Sequence, residues 1–167
     1  PGFPGEYKDR PLFDDLKSYN SDVYSLVYPG TYSEEGEFSL TNVISAIKYA
    51  LETLKAFNKP ILLACYSFST LFVSQCINKK DNLMGVLLFS PITDLKASIH
   101  EDFIETLNAV KAANPDAFNI NMESFEKYKA MGAELYPKSE YFTFDKVDFA
   151  VGLVEGFDDK VKEVETV

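Results

Sequence analysis

The amino-acid sequence predicts an α/β fold in which a mostly parallel sheet is flanked by helices. This prediction rests on two observations. Segments 61–65 and 83–89 are continuous apolar runs of the kind that parallel sheets bury on both faces. Segments 40–57 and 68–77 place apolar residues at helical spacing. The alternation of strand with helix is typical of parallel βαβ units.

Two further elements are expected near the start of the chain. Apolar residues at helical spacing predict a short helix over 12–19. Segment 22–28 is rich in β-branched and aromatic residues and is followed by Pro29 and Gly30, so we expect a strand and then a turn. Thr41 is the expected N-cap of the long helix that follows.

Residues 91–145 interrupt the alternation. Amphipathic helices are expected over 99–113 and 124–135, and an apolar strand over 147–154 resumes the sheet. This pattern predicts a helical insertion within one core. The expected divisions are a first part of the core at 1–94, a helical insertion at 95–145 and a second part of the core at 146–167.

Composition and charge narrow the choice of partners. The 167 residues carry a net charge of −10, and 46% of them are hydrophobic. Such an acidic chain without a basic cluster argues against binding to nucleic acid or to an anionic membrane. No apolar stretch approaches the roughly 18 residues that a membrane span requires. We therefore expect a small, neutral or apolar ligand.

Cys65 and Cys76 are the two cysteines of the sequence. Both fall in apolar segments, and their spacing fits neither a metal site nor a redox pair. We interpret them as free, structural thiols in a cytoplasmic protein.

Segment 60–69 has the clearest chemical meaning. The apolar strand runs directly into a helical pattern, which puts Ser67 at the tip of a sharp turn. A serine hydroxyl attacks a carbonyl only when it projects from the backbone beside a base and beside N–H donors for the developing oxyanion. The alternative is a serine that only caps the helix behind it.

Three other segments accompany this turn. Residues 1–5 read Pro-Gly-Phe-Pro-Gly, and residues 28–33 read Tyr-Pro-Gly-Thr-Tyr-Ser. Residues 156–159 read Gly-Phe-Asp-Asp and directly follow the strand expected at 147–154. Each segment alone is weak, and their order along the chain is what gives them weight.

In this order the segments resemble the α/β-hydrolase superfamily of lipases, esterases, thioesterases and serine peptidases. Residues 65–69, Cys-Tyr-Ser-Phe-Ser, stand where that family has its Gly-x-Ser-x-Gly nucleophile elbow. Segment 1–5 resembles the family's His-Gly-x-Pro-Gly oxyanion loop. Segment 28–33 resembles its Gly-x-Gly-x-Ser turn, and segment 156–159 resembles the Gly-x-x-Asp turn of the triad acid.

The resemblance implies a role for four residues. Ser67 would be the nucleophile, and Asp159 would orient a histidine base. The backbone N–H groups of Phe3 and Phe68 would form the oxyanion hole. The implied reaction cleaves an ester, thioester or amide of a small, apolar acyl substrate through an acyl-enzyme. It requires no metal or organic cofactor.

The sequence leaves more than one candidate for the acid of the implied triad, and its histidine base is not identified. Asp158 and Asp94 compete with Asp159 for the acid, and a solvated acidic turn is the simpler interpretation of Asp159. The family's histidine follows its acid, whereas the single histidine here, His100, precedes Asp159 and is expected on a surface or between helices. We therefore expect these residues to be an internal portion of a larger hydrolase domain, with further strands and the histidine beyond its ends.

Departures from the family pattern support two other functions. Cys65 and Ser69 replace both elbow glycines, and Pro1 replaces the histidine of the oxyanion loop. A catalytically inactive α/β-hydrolase fold used for binding or scaffolding would tolerate these changes. An acyltransferase on the same fold is a further alternative.

Aromatic residues are frequent in the expected insertion. A helical cap rich in such residues would line an apolar pocket over a serine site, although cap helices also need a core of their own. The aromatic residues concerned are Phe103, Phe118, Phe125, Tyr128, Tyr136, Tyr141, Phe142 and Phe144.

Overall fold

The computed structural model describes residues 2–3, 15–17, 21–32, 34–77, 82–90, 101–131 and 150–154. These residues form an α/β arrangement of helices and a small parallel sheet. The strands of the sheet are β1 (Ile61–Tyr66), β2 (Leu83–Phe89) and β3 (Ala150–Val154). The helices are α1 (Leu40–Lys55), α2 (Thr70–Cys76), α3 (Glu101–Ala113) and α4 (Met122–Met131), with a 3₁₀ turn at Ser67–Ser69.

The three strands lie in the order β1-β2-β3, and both neighbouring pairs are parallel. Each of these strands was predicted from its apolar run. β1 and β2 begin and end within one residue of the predicted bounds. β3 is described over Ala150–Val154, inside the expected 147–154, and residues 147–149 lie outside the described residues. The predicted parallel pairing is confirmed for these strands.

The helix α2 covers one face of the sheet. Val73 of α2 packs with Cys65 of β1 and with Val86 and Leu88 of β2, and all four side chains are buried. Because side chains alternate along a strand, Tyr66 and Phe89 point to the opposite face. Their rings are stacked there, with centroids 4.3 Å apart. No helix of the described residues is long and apolar enough to cross a bilayer.

The strand predicted at 22–28 is wrong: residues 21–28 form no ladder with any described residue. β-propensity reflects packing on a pleated surface, and a strand also needs a neighbour for its N–H and C=O groups. Side-chain contacts join this segment to residues 57–59, which precede β1, instead. Asp22 pairs with Lys59 at 2.6 Å, and Tyr24 stacks on Phe57. Of the helix expected at 12–19, residues 15–17 are helical and the rest lie outside the described residues.

The N-cap predicted for the long helix is also wrong. Ser39, and not Thr41, caps α1: its backbone is extended, and its hydroxyl accepts from the Asn42 amide at 3.3 Å. The helix therefore begins at Leu40. Ser39 lies three residues before the amide that it binds, which is the usual distance for a capping serine.

Residues 117–121 join the expected insertion to the early part of the chain by main-chain bonds. The Phe38 amide donates to the Asn119 carbonyl oxygen at 2.8 Å, and the Asn121 amide donates to the Phe38 carbonyl oxygen at 3.0 Å. Isolated bridges pair Thr31 with Phe118 and Phe38 with Ile120. This segment is therefore built into the main body of the described structure.

One apolar cluster continues from the first part of the chain into the insertion. Phe38, Phe68 and Phe125 meet in it, with Phe38 stacked on Phe125 at 5.4 Å. The buried members of this cluster are Tyr28, Phe38, Leu40, Val43, Ile47, Leu51, Phe68, Phe72, Cys76, Leu107, Phe118, Ile120 and Phe125.

Candidate active site

The turn at Ser67 has the backbone of a strained strand-to-helix corner. Tyr66 still has extended angles of φ −119 and ψ 129, whereas Ser67 has φ 44. A positive φ is uncommon for a residue with a Cβ and costs on the order of 1–3 kcal/mol. The strained corner of a nucleophile elbow exposes a serine hydroxyl at the end of a sheet. Helix capping alone does not require this conformation, because an ordinary N-cap residue is extended.

Ser67 leaves the sheet at the carboxyl edge of all three strands. Tyr66, Phe89 and Val154 are paired in one row, so the described parts of the three strands reach the same level at this edge. Ser90, which directly follows β2, also has a positive φ, of 46. Ligands of open parallel sheets bind outside this carboxyl edge. The sheet therefore places Ser67 where a substrate site is expected.

Hydroxyl groups of the following turn fix the backbone around Ser67. The Ser69 hydroxyl accepts from the Tyr66 amide at 2.7 Å and donates to the Tyr66 carbonyl oxygen at 3.0 Å. The Thr70 hydroxyl donates to the Ser67 carbonyl oxygen at 2.5 Å. Ser69 and Thr70 are both buried, so water does not compete for these bonds.

The phenol of Tyr28 is buried next to the Ser69 hydroxyl. Burial is the main cause that raises the pKa of Tyr28, the nearby Cys65 adds to it, and a hydrogen bond with the Ser69 hydroxyl opposes it. Tyr28 is 3% exposed and its ring lies 6.1 Å from that of Phe68. The phenol therefore stays protonated at neutral pH and serves as a hydrogen-bonding group.

Phe3 and Phe68, the predicted oxyanion donors, lie close together. Their ring centroids are 6.1 Å apart, and Phe3 also stacks on Phe38 at 4.6 Å. Phe68 directly follows Ser67 and is 2% exposed. The Phe68 amide belongs to the 3₁₀ turn Ser67–Ser69. This packing brings Phe3 against the turn that carries Ser67. Pro1, Pro4 and Gly5 of the predicted oxyanion loop lie outside the described residues.

Cys65 stands two residues before Ser67, but its thiol is not a competing nucleophile. Burial is the main cause that raises the pKa of Cys65 to about 12. Since the thiolate is the reactive form of cysteine, this thiol is inert at neutral pH. Cys65 and Cys76 are both free and buried, as the sequence predicted. The Cys76 thiol donates to the Ile44 carbonyl oxygen, with sulfur and oxygen 3.8 Å apart.

The predicted acid lies outside the described residues. Asp159 follows β3 in sequence, and β3 ends at the same edge as the turn of Ser67. The alternatives Asp94 and Asp158, and the single histidine His100, also fall outside the described residues. Within the described ranges, no three acidic, histidine or cysteine side chains cluster in a way that could hold a metal ion.

Sequence reasoning did not identify the contributions of Tyr28, Ser69 and Thr70. Ser69 was noted only as a replacement for an elbow glycine. Serine and threonine often bind backbone groups three or four residues away, and this tendency was the one signal available. The pairing of Tyr28 with Ser69 joins distant parts of the chain and left no local pattern.

Comparisons with known protein families, with curated proteins and with solved structures found no match to this chain.

Proposed function

We propose that this chain is part of a serine hydrolase with an α/β-hydrolase-like fold, and that Ser67 is its nucleophile. The observation that supports the proposal is the positive φ of Ser67 at the corner between β1 and a helical segment, at the carboxyl edge of a parallel sheet. The strain has a use in catalysis because it projects the hydroxyl away from both neighbouring elements.

In the proposed reaction the Ser67 oxygen attacks the carbonyl carbon of an ester, thioester or amide. A histidine takes the hydroxyl proton and returns it to the leaving group, and Asp159 orients that histidine. The carbonyl oxygen, which becomes negative, accepts hydrogen bonds from the Phe3 and Phe68 amides. Water then hydrolyses the acyl-enzyme. The proposed histidine is one that these 167 residues do not contain.

Aromatic side chains near the turn favour an apolar acyl group. Tyr66 and Phe89 form a stacked, half-buried pair on the sheet face opposite α2, at the row where the strands end. An apolar surface beside a nucleophile binds an acyl chain or an aromatic ring by removing it from water. We therefore propose a small apolar acyl substrate. We further propose that the protein acts in the cytoplasm and has no nucleic-acid partner.

The test is covalent labelling of the full-length protein with a fluorophosphonate probe. Ser67 is expected to be labelled, and Ser67→Ala is expected to remove the label. Ser90→Ala is the matched control, because Ser90 also follows a strand, has a positive φ and lies at the same edge of the sheet. Labelling should survive this change. Peptide mapping should place the adduct on Ser67.

Two outcomes would contradict the proposal. A labelled Ser67→Ala protein would place the nucleophile elsewhere. An unlabelled wild-type protein that is folded would favour the inactive binding or scaffold protein, which the lost elbow glycines already suggest. If Ser67 is labelled, product analysis with competing thiol and alcohol acceptors separates a hydrolase from an acyltransferase.

A further inference from the structure

We propose that the hydroxyl of Ser69 is a positioning group that holds Ser67 in its positive-φ conformation. The Ser69 side chain does not touch the reacting atoms in this proposal and acts through the backbone of the turn. The effect of Ser69 on catalysis rests on the proposed role of Ser67 as nucleophile. The effect of Ser69 on the backbone conformation of Ser67 is independent of that role.

The geometry of the Ser69 hydroxyl supports this inference. One oxygen binds both main-chain polar groups of Tyr66, the amide at 2.7 Å and the carbonyl oxygen at 3.0 Å. These bonds close a ring around Ser67 and Phe68, the two residues between the partners. The last residue of β1 is thereby tied to the first turn of the helical segment. We expect that a change of Ser67 to a negative φ would break at least one of these bonds.

The surroundings of Ser69 make the two bonds hard to replace. Ser69 is 5% exposed, so water cannot take over for a lost hydroxyl. A serine hydroxyl has one proton and two acceptor sites. Tyr66 uses the proton and one acceptor site, and the remaining acceptor site serves the hydrogen bonds of Ser69 with the Tyr28 phenol and the Cys65 thiol. Tyr28 belongs to the main apolar cluster, which fixes the third partner.

This arrangement gives a physical reason for serine at a position where the related elbow pattern has glycine. A glycine would fit the close packing but would supply no hydroxyl for Tyr66. We therefore expect that Ser69→Gly, which restores the residue of the Gly-x-Ser-x-Gly pattern, impairs the turn. A purely steric account of the position predicts the reverse, because glycine relieves crowding.

The experiment compares Ser69→Ala and Ser69→Gly with Ser39→Ala in the full-length protein. Ser39 is the matched control: it is a buried serine whose hydroxyl also accepts from a backbone amide, but at the start of α1. Crystal structures give the φ of Ser67, and the rate of fluorophosphonate labelling gives its reactivity. Both Ser69 variants should move Ser67 out of the positive-φ region.

The labelling rate should distinguish the two Ser69 variants from Ser39→Ala, as the φ of Ser67 does. It should fall at least about tenfold in both Ser69 variants, because a misplacement of about 1 Å costs on the order of 100-fold. Ser39→Ala should keep the wild-type rate and the φ near 44. If neither Ser69 variant folds, Tyr28→Phe removes one partner of the hydroxyl and keeps the ring in the core. A slower rate is expected there too.

The two readouts separate this proposal from the proposed function. A wild-type protein that is not labelled at Ser67 contradicts the hydrolase, and the φ of Ser67 in Ser69→Ala still decides the positioning role. A φ that stays near 44 in Ser69→Ala, or in Tyr28→Phe if that variant is the one that folds, overturns the positioning role whatever the labelling shows.

Discussion

The amide of Asn119 donates to the carbonyl oxygen of Gly30 at 2.8 Å and so joins the segment before α4 to the turn before α1. Gly30 has φ 74, and a Cβ at this position would lie 2.7 Å from the Asn119 carbonyl oxygen and would also overlap the Phe38 amide nitrogen. The obstacles are backbone atoms, which cannot rotate away. Only glycine allows this approach.

Gly30→Ala should therefore destabilise the protein strongly. Backbone strain of about 1–3 kcal/mol adds to a steric cost of about 1–3 kcal/mol, so we expect a loss of roughly 2–6 kcal/mol in the free energy of unfolding. Gly36→Ala is the control: its φ is 103, but the added Cβ would meet only Pro29, at 3.2 Å from the Pro29 Cβ. Urea unfolding measures both losses. Equal losses would mean that strain alone matters at Gly30.

Phe125→Ala should lower the stability of the whole described structure. The Phe125 side chain is completely buried and stacks on Phe38, so we expect a loss of about 3–5 kcal/mol. Tyr49→Ala is the control, because Tyr49 is 76% exposed on α1 and its loss should cost less than about 0.5 kcal/mol.

The shape of the unfolding transition is the second readout for Phe125. Circular dichroism and intrinsic tyrosine fluorescence should report one shared transition, shifted to lower urea in Phe125→Ala. Two separate transitions, with only the first shifted, would show that the segment containing α3 and α4 unfolds by itself.

Ser67→Gly should stabilise the protein while it removes the proposed nucleophile. Relief of strain of about 1–3 kcal/mol exceeds the entropy cost of glycine, about 0.5–1 kcal/mol, so the free energy of unfolding should rise by about 1 kcal/mol. Asn58→Gly is the control. Asn58 has φ 51, but asparagine tolerates this region, so the gain should be near zero. A destabilised Ser67→Gly protein would mean that the corner at Ser67 stores no strain.

The buried Cys65 thiol should make stability depend on alkaline pH. Its folded pKa is raised from 9.0 to about 12, so folding favours the protonated thiol. This contribution is fully present below about pH 9 and is lost as the pH rises toward 12. Between pH 9 and pH 11 the wild-type protein should lose on the order of 2 kcal/mol more than Cys65→Ala.

Tyr28 is present in both of these proteins. Burial, the main cause of its raised pKa, acts in both and keeps the folded phenol protonated over this pH range, so its contribution nearly cancels even though Cys65 adds to the shift. Urea unfolding at several pH values measures the difference. Parallel pH profiles for the two proteins would show that Cys65 is accessible to water.

The elements that formed as the sequence predicted are those whose signal is local. The apolar runs of β1 and β2 and the periodic pattern of α1 each contain the information for their own structure. Segment 22–28 has a comparable composition but forms no ladder, because pairing depends on a neighbour rather than on composition.

The candidate site likewise contains features that have a local sequence signal and features that depend on the tertiary fold. The turn at Ser67 could be predicted because a strand and a helix pattern meet there with a small polar residue between them. The hydrogen bond of Ser69 with Tyr28 could not, since Tyr28 reaches the Ser69 hydroxyl only through the tertiary fold. The cap of α1 was misplaced because Ser39 and Thr41 are both good capping residues and only the backbone distinguishes them.

The main-chain bonds of Phe38 with Asn119 and Asn121 also limit how a substrate can arrive. A hinged lid opens at little cost when few buried contacts cross its hinge. Here Phe118, Ile120 and Phe125 are embedded in the same cluster as Phe68, directly behind the turn that bears Ser67. Lifting this segment would break the packing behind the proposed nucleophile. We therefore expect the part of the insertion around Asn119 to stay in place, so that a substrate of the proposed hydrolase would reach Ser67 from another side.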